Sequence, residues 1–271
     1  SLLPFDFRLF PFCIFANKKI KMSVIYKTDA EVNGFDIDFR HNLHLYRLLN
    51  LIHETAGQHA KVLNKGWDDL HQDGLFWALS KVHMVVHQYP KWNDKIRIET
   101  WPKVHETLVF LRDYEVFSES GELLVSASSE WMIVDYRVNK IMRMDQMSMH
   151  IDFPHQKHAL KTRVPKLKRV EFPENPVFNQ VVISDLDMND HVNNVNYAKW
   201  MIDQFDYPFY KKHTLKEIVI NYSYQLKAEE QYTFAIEQTN SLAYIATIYN
   251  QDKKEICKFS TQWVEDSKDI I

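Results

Sequence analysis

The sequence repeats one order of elements twice, and this repeat limits the folds open to the chain. Residues 36–39 (Asp-Ile-Asp-Phe) resemble residues 185–188 (Asp-Leu-Asp-Met) at an offset of 149, and each segment precedes a helical pattern. Near the end of each run of strands, residues 128–131 (Ser-Ser-Glu-Trp) resemble residues 260–263 (Ser-Thr-Gln-Trp) at an offset of 132. Two matches in the same order indicate an internal duplication.

The first half contains one long amphipathic helix. Its apolar residues recur every three or four positions and therefore share one face: Leu45, Leu48, Leu49, Ile52, Ala56, Ala60 and Leu63. Elsewhere, apolar and polar residues alternate as they do in strands, and residues 118–122 are typical of a hairpin turn. Because the second half copies this order, we predict an α+β fold with a helix covered by an antiparallel sheet in each half.

The same patterns divide the chain into four parts. Residues 1–21 are apolar but carry their basic cluster after the apolar run, so we expect an unstructured extension outside the fold and no secretory signal. Residues 22–149 form the predicted N-terminal domain, and residues 176–271 form the C-terminal one. Residues 150–175 carry three prolines with little periodicity and are interpreted as a linker.

Composition excludes several classes of function. A formal charge of −3 offers no general reason to expect nucleic-acid binding. With five glycines in the chain, no phosphate-binding loop and no GxSxG nucleophile motif can be written. Cys13 and Cys257 have no zinc spacing, so we expect no metal, no cofactor and reduced thiols in a cytoplasmic protein. The apolar run near the start is shorter than the roughly 20 residues that span a bilayer, so no membrane span is expected.

The segment at residues 185–200, DLDMNDHVNNVNYAKW, holds the strongest candidates for chemistry. Asp187, Asn189 and His191 alternate, so on an extended backbone they would project from one face. Asn193 or Asn194 can cap the helix that follows, where free N–H groups would stabilise an anionic intermediate. A carboxylate, an amide and an imidazole together suit water activation and carbonyl alignment. The same residue types also favour turns and helix starts for local reasons.

This segment resembles the signature DLDxNxHVNNVxYxxW of the acyl-ACP thioesterases, enzymes that hydrolyse fatty-acyl thioesters of acyl carrier protein (ACP). The matching residues are Asp185, Leu186, Asp187, Asn189, His191, Val192, Asn193, Asn194, Val195, Tyr197 and Trp200. Similarity continues in the first half, at residues 53–56, 89–92, 99–101, 112–114 and 127–131. The resemblance therefore extends over both halves, from about Met22 to Trp263.

The resemblance implies two tandem hot-dog domains, with the catalytic residues in the second domain and the acyl chain mainly in a pocket of the first. It implies that His191 helps to activate water, that Asp187 orients and stabilises the site, and that Asn189 holds the thioester carbonyl. Asn193 and Asn194 are further candidates for substrate binding. No covalent intermediate is required, so direct attack by water is the simpler mechanism.

The chain departs from the family at Gln225, where a carboxylate is usual 34 residues after the histidine. A glutamine side chain has no basic site in the relevant pH range. Three alternatives remain open: His191, supported by Asp187, is the sole base; Glu229 or Glu230 supplies a carboxylate; or the protein binds acyl groups with little or no turnover.

Two further sets of residues are candidates for the binding of substrate and partner. Trp77, Met84 and Val86 are candidates to line the acyl pocket, with an ordinary core as the alternative, and residues 67–75 are placed to cover its mouth. The linker carries a basic run that would dock the acidic ACP or simply keep the linker solvated: Lys157, Lys161, Arg163, Lys166, Lys168 and Arg169.

The leading hypothesis is therefore hydrolysis of fatty acyl-ACP to free fatty acid and ACP in the cytoplasm. An acyl-CoA thioesterase on the same fold and a non-catalytic acyl-binding protein are the alternatives, and Gln225 favours the latter. The oligomeric state is left open between a monomer and a homodimer.

Overall fold

The computed structural model describes residues 24–103, 106–143 and 157–266. The extension predicted at residues 1–21 lies outside the described residues, as does the first part of the linker, up to residue 156. No helix within the described ranges is long and apolar enough to cross a membrane.

The two halves contain the same kinds of element in a similar order. The first half comprises β1 (Tyr26–Glu31), α1 (Leu45–Val62), α2 (Trp67–Gln72), β2 (Leu75–Val86), β3 (Lys95–Pro102), β4 (Phe110–Ser118), β5 (Leu123–Asp135) and β6 (Lys140–Ile141). The second comprises β7 (Asn179–Gln180), a 3₁₀ turn (Ile183–Asp185), α3 (Asn194–Ile202), α4 (Tyr207–Lys212), β8 (His213–Tyr222), β9 (Gln231–Asn240), β10 (Ala243–Asn250) and β11 (Glu255–Glu265).

The described strands form one antiparallel sheet that runs through both halves. Their order is β1-β3-β4-β5-β2-β8-β11-β10-β9-β7, with β6 paired to β5. Strands β2 and β8 join the halves, in a register that runs from Lys81 opposite Asn221 to Val85 opposite Glu217. Helices α1 and α3 pack against each other and share one core with the strands. The predicted α+β class is confirmed, whereas the domain limits at residues 22–149 and 176–271 stay a prediction.

Helix α1 has the buried face that its periodicity predicts. Leu48, Leu49 and Ile52 are completely buried, because the stripe of apolar residues faces the sheet. The helix ends where Asn64 adopts a left-handed conformation (φ 55°), which lets the Lys65 N–H bond back to the Ala60 carbonyl oxygen at 2.8 Å. This sharp end directs the chain into α2.

The duplication is visible in the details of the sheet. Near the end of β5 and of β11, the pairing shifts by one residue beside a tryptophan, at Trp131 and at Trp263. Each indole N–H then donates to a hydroxyl two residues earlier, on Ser129 at 2.7 Å and on Thr261 at 3.2 Å. The match of residues 128–131 to residues 260–263 therefore has a structural counterpart.

The described part of the linker is held by acidic side chains of the sheet. Asp113 is fully buried and accepts the Ala159 N–H at 2.8 Å, and Glu130 binds the Arg163 guanidinium at 2.8 Å. Buried carboxylates need such partners, because an unpaired charge away from water is costly. Residues 157–175, the described part of the linker, therefore lie along the sheet without forming a helix or strand of their own.

Candidate active site

The polar motif of the second half forms a tight loop between the 3₁₀ turn and α3. The Asp187 N–H donates to the His191 carbonyl oxygen at 2.8 Å, so the chain reverses between these residues. Asp190 adopts a left-handed conformation (φ 60°), and the Asp187 carboxylate accepts the Asn189 N–H at 2.8 Å. The expectation of an extended backbone is therefore wrong, because these local bonds stabilise a turn instead.

The first half contains a second copy of this loop. The Asp38 N–H donates to the Asn42 carbonyl oxygen at 2.8 Å, and the Asp38 carboxylate accepts the Arg40 N–H at 2.8 Å. His41 takes the left-handed conformation (φ 62°) that Asp190 takes in the other copy. One backbone scaffold therefore carries two different sets of side chains.

The two copies differ in how far their polar groups are satisfied. Beyond the Arg40 N–H, the Asp38 carboxylate accepts the Asn42 N–H at 3.0 Å, the Arg40 guanidinium at 3.2 and 3.3 Å, and the Tyr210 hydroxyl at 3.4 Å. Across the described part of the chain, the Asp187 carboxylate has one donor, the Asn189 N–H, and the His191 imidazole has no hydrogen-bond partner. The second loop thus presents a free carboxylate oxygen and a free imidazole.

The start of α3 anchors the other end of this loop. Asn193 is the N-cap, and its side-chain oxygen accepts the Val195 N–H at 3.2 Å, as predicted for one of the two asparagines. Asn194 is the first helical residue, and its carbonyl oxygen accepts the Tyr222 hydroxyl at 3.1 Å. A role for Asn193 and Asn194 in substrate binding stays a prediction.

Gln225 lies in the loop that follows β8 and is half-buried. Its neighbour Leu226 donates its N–H to the Tyr197 hydroxyl at 3.0 Å and accepts the Val192 N–H at 2.8 Å. Val192 follows His191 directly, so these main-chain bonds bring the Gln225 segment beside the polar loop. The backbone at position 225 therefore lies close to the backbone that follows His191, and a catalytic role for Gln225 stays a prediction.

A cavity of about 210 Å³ lies between α1 and the sheet in the first half. On the helix side its lining includes His53 and three small residues, Ala56, Gly57 and Ala60. On the sheet side it is lined by aromatic rings that include Trp77 and Trp131. Trp77 therefore lies at the wall of a cavity, and its role in binding an acyl chain stays a prediction.

Met84 and Val86 lie elsewhere. Both are buried in the main core, in the same cluster as Leu48 and Leu49, and neither lines the cavity. The reason is the distribution of side-chain size along α1, because large residues fill the space near its start and small residues leave space near its end. Neither residue therefore contacts this cavity, and a role for Met84 or Val86 in acyl binding stays a prediction.

In the second half, aromatic side chains pack closely around the corresponding tryptophan. Trp263, the counterpart of Trp131, is completely buried, and its ring lies 4.7 Å from the ring of Phe205 and 5.3 Å from that of Phe209. These aromatic side chains occupy the volume that Ala56 and Gly57 leave open in the first half.

Two polar residues in the cavity wall were missed by the sequence analysis. The Arg112 guanidinium donates to the His59 ring at 3.1 Å and to the Thr100 hydroxyl at 3.1 Å. Burial lowers the pKa of His53 to about 4, so this residue is neutral near pH 7. Arg112 and His53 lie in runs that resemble the family, at residues 112–114 and 53–56. This resemblance is the one sequence signal that could have identified them.

A contact between the halves was also missed. Trp67, the first residue of α2, lines the cavity and directs its indole N–H at the side-chain oxygen of Asn189, 3.4 Å away. The expectation that residues 67–75 lie near the mouth of a pocket rested on chain position alone. No local pattern could reveal this partner, because the two residues are 122 positions apart.

The structure divides the basic run of the linker into two groups. Three members form ion pairs with glutamates, namely Lys157, Arg163 and Arg169. The other three are exposed and have no acidic partner among the described residues: Lys161, Lys166 and Lys168. Three of the six basic side chains that were predicted to dock ACP are therefore already paired with glutamates of the same chain.

The fold and the site define a class of protein: a double hot-dog domain with one open polar loop beside an apolar cavity. The family model described as acyl-ACP thioesterase N-terminal domain matches residues 23–150, and the acyl-ACP thioesterase C-terminal domain matches residues 174–265. The chain therefore belongs to the acyl-ACP thioesterase family, which confirms the resemblance.

Curated relatives and solved structures agree with this membership. The chain is 23% identical over 228 residues to oleoyl-acyl carrier protein thioesterase 2, chloroplastic, of Arabidopsis thaliana, covering 76% of this chain and 60% of that protein. It is 25% identical over 230 residues to palmitoyl-acyl carrier protein thioesterase, chloroplastic, of Gossypium hirsutum, covering 80% and 55%. The chain thus spans less than two thirds of the length of these relatives.

Two solved structures share the fold over nearly their whole length. An acyl-ACP thioesterase from Bacteroides thetaiotaomicron superposes with a TM-score of 0.81 at 20% identity, covering 90% of this chain and 100% of that one. The 12:0-ACP thioesterase from Umbellularia californica superposes with a TM-score of 0.78 at 17% identity, covering 90% and 99%. The predicted pair of hot-dog domains is thereby confirmed.

Proposed function

We propose that this protein hydrolyses the thioester of fatty acyl-ACP, releasing a free fatty acid and ACP. One observation carries the proposal: of two copies of one loop, the copy with Asp187 and His191 leaves a carboxylate oxygen and an imidazole unpaired. Polar side chains that no other group of the protein engages are available to contact a substrate and a water, as a reacting site requires.

Each side chain of the loop suits one part of the reaction. The His191 imidazole takes a proton from water as the water oxygen attacks the thioester carbon, while the Asp187 carboxylate stabilises the charged ring. The side-chain amide of Asn189 donates to the carbonyl oxygen as it becomes an oxyanion. Collapse of the intermediate breaks the carbon–sulfur bond, and the leaving thiolate takes the proton back from the imidazolium.

The surroundings of Gln225 support His191 as the sole base. The Glu230 carboxylate accepts the Lys227 N–H at 2.7 Å within its own turn, and Glu229 is exposed. A glutamine at position 225 can still hydrogen-bond the attacking water or the substrate.

The acyl chain is assigned to the cavity of the first half. Its wall of small helical residues and aromatic rings suits a flexible hydrocarbon chain, and Trp67 links this wall to the polar loop. Acyl carrier protein is proposed as the partner because the relatives are named for acyl carrier protein substrates. The proposal includes a cytoplasmic location and a homodimer.

Two other functions remain as alternatives. An acyl-CoA thioesterase would use the same loop and cavity without a preference for ACP. A non-catalytic acyl-binding protein is favoured by one residue, Gln225, and would retain acyl groups without turnover.

The test is hydrolysis of a panel of acyl-ACPs and matched acyl-CoAs by wild type and by His191→Ala. Asn42→Ala is the matched control, because Asn42 occupies the same position in the other copy of the loop. Loss of turnover in His191→Ala alone, with ACP substrates preferred, supports the proposal. Equal rates on both carriers would favour the acyl-CoA enzyme, and tight acyl retention without turnover would favour the binding protein.

A further inference from the structure

Trp67 touches both parts of the proposed site. Its ring lines the cavity, and its indole N–H approaches the side-chain oxygen of Asn189 at 3.4 Å. The other two tryptophans of the cavity wall donate elsewhere: Trp77 to the Lys65 carbonyl oxygen at 2.9 Å, and Trp131 to the Ser129 hydroxyl at 2.7 Å. Trp67 therefore joins the cavity wall to the polar loop by a hydrogen bond.

The chemistry of a carboxamide gives this contact a consequence. The side chain of Asn189 carries one oxygen, which only accepts, and one NH₂ group, which only donates. A thioester carbonyl oxygen can only accept, so it needs the NH₂ group. A donor that holds the amide oxygen prevents the flipped orientation, in which two oxygens would repel each other.

We propose that Trp67 is a positioning residue that holds the Asn189 amide with its NH₂ group toward the thioester carbonyl. The inference rests on the proposed function and adds a residue from the opposite domain to its site. Because the same ring forms part of the cavity wall, seating of the acyl chain and alignment of the carbonyl are coupled through one side chain.

The surroundings of Trp67 hold its ring in place. The ring stacks on His71 with a centroid distance of 4.4 Å and an interplanar angle of 12°, and His71 lies 5.2 Å from the ring of Tyr136. The turn before the helix is closed by the Asp69 carboxylate, which accepts the Gly66 N–H at 2.8 Å. A ring supported on one side can hold a hydrogen bond in a fixed direction.

The other copy of the loop makes the corresponding contact. Arg40 occupies the position of Asn189, and its guanidinium lies 4.5 Å from the ring of Tyr210 in α4, the short helix of the opposite half. Each loop therefore contacts a short helix of the other domain through this one position. The contact is a cation over a ring in the first copy and an amide held by an N–H in the second.

The first experiment is a double-mutant cycle between Trp67 and Asn189. Trp67→Phe keeps a ring in the cavity wall but removes the N–H, and we expect kcat to fall about tenfold with KM changed less than about twofold. In the Asn189→Ala background, Trp67→Phe should have no further effect on kcat. Trp77→Phe is the matched control, and its effect should be the same in both backgrounds.

The opposite result would overturn the inference. If Trp67→Phe lowers kcat by the same factor with and without Asn189, or raises KM alone, Trp67 is part of the cavity wall and nothing more.

A second measurement does not depend on turnover. The indole N–H signals of Trp67 and Trp77, assigned by the two phenylalanine variants, are recorded by ¹⁵N NMR with Asn189 and with Asn189→Ala. The Trp67 signal should shift and the Trp77 signal should stay. An unchanged Trp67 signal contradicts the inference even if the protein is an active hydrolase, whereas an inactive wild type with a shifted signal contradicts only the proposed function.

Discussion

Asp38 and Asp187 occupy the same position in two copies of one loop, and only the Asp38 carboxylate is surrounded by donors. Arg40, Asn42 and Tyr210 all donate to Asp38, whereas Asp187 accepts the Asn189 N–H alone within the described chain. The first loop therefore acts as a clamp between domains, and the second is left free to contact a ligand.

Arg40→Ala is expected to lower the free energy of unfolding by about 3 kcal/mol, because it leaves Asp38 buried without its counter-charge. The guanidinium lies 3.2 Å from Asp38 and 3.7 Å from Asp266, and it also donates to the His213 carbonyl oxygen at 2.9 Å. Chemical denaturation measures the change.

Arg97→Ala is the matched control for Arg40→Ala, because its ion pair with Asp29 is exposed. Its effect should stay below about 0.5 kcal/mol. Similar losses in the two variants would contradict the role of Arg40 as a clamp.

Gln225→Glu is expected to raise kcat about tenfold or more, because it brings a carboxylate beside the His191 loop as a second general base. Steady-state hydrolysis of an acyl-ACP measures the change. Gln231→Glu adds the same charge at an exposed position on β9 and should leave kcat unaltered. A rate that does not change in Gln225→Glu would mean that position 225 has no contact with the reacting water.

Ala60→Leu is expected to shift the preference toward shorter acyl chains, because it adds three carbons to the wall of a cavity of about 210 Å³. The measurement is the ratio of kcat/KM values across a series of chain lengths. Gly57→Ala should shift the ratio less, because its new Cβ meets no atom within 4 Å. An unaltered chain-length profile in Ala60→Leu would place the acyl chain elsewhere.

Stability should fall as the pH is lowered from about 6.5 toward 4. Burial lowers the pKa of His53 to about 4, so in this range the unfolded chain binds a proton that the folded protein does not. The stabilising contribution of the neutral ring is thus present above pH 6.5 and lost below it. Burial, and next the charge of Arg112, lower the pKa of His59 to about 3, which adds to the same trend.

His53→Gln should flatten the fall in melting temperature between pH 6.5 and pH 4, because glutamine does not titrate. His41→Asn is the control, since His41 is exposed and asparagine tolerates its left-handed backbone. An equally steep fall in His53→Gln would assign the pH dependence to other groups.

Reversal of Lys166 and Lys168 to glutamate should raise KM for acyl-ACP and spare a small acyl-CoA, because these exposed lysines have no acidic partner in the described chain. The expected increase is about fivefold at low salt and disappears at high salt. Lys95→Glu with Arg97→Glu is the matched double reversal on the exposed part of β3. Equal effects on both substrates would exclude docking at the linker.

Local patterns were enough to predict much of the fold. The apolar stripe of α1 and the cap at Asn193 depend on residues within one or two turns of each other, so their structure follows from spacing and side-chain chemistry. The resemblance at residues 185–200 led to the family for the same reason, because the loop and the start of α3 are contiguous. The turn at Asp190 escaped prediction because alternating residue types do not reveal a left-handed backbone.

Pocket residues could be predicted only in part, since a cavity depends on volumes contributed by separate elements. Trp77 and Met84 look alike as apolar strand residues, yet small side chains of α1 leave space beside Trp77 while large ones cover Met84. Strand periodicity reports which face a residue occupies. It does not report how much of the opposing space is filled.

The amino-acid sequence by itself determined the α+β class, the duplication and membership of the family, because short-range periodicity and one contiguous motif encode them. Tertiary structure decided in which of two similar loops the aspartate carboxylate is surrounded by hydrogen-bond donors. It also decided where the cavity opens and which tryptophan contacts Asn189. The physical reason is distance along the chain. Packing volumes and hydrogen bonds between the halves join residues more than a hundred positions apart, as in the contact of Trp67 with Asn189 across 122 positions, and exist only after both domains have folded.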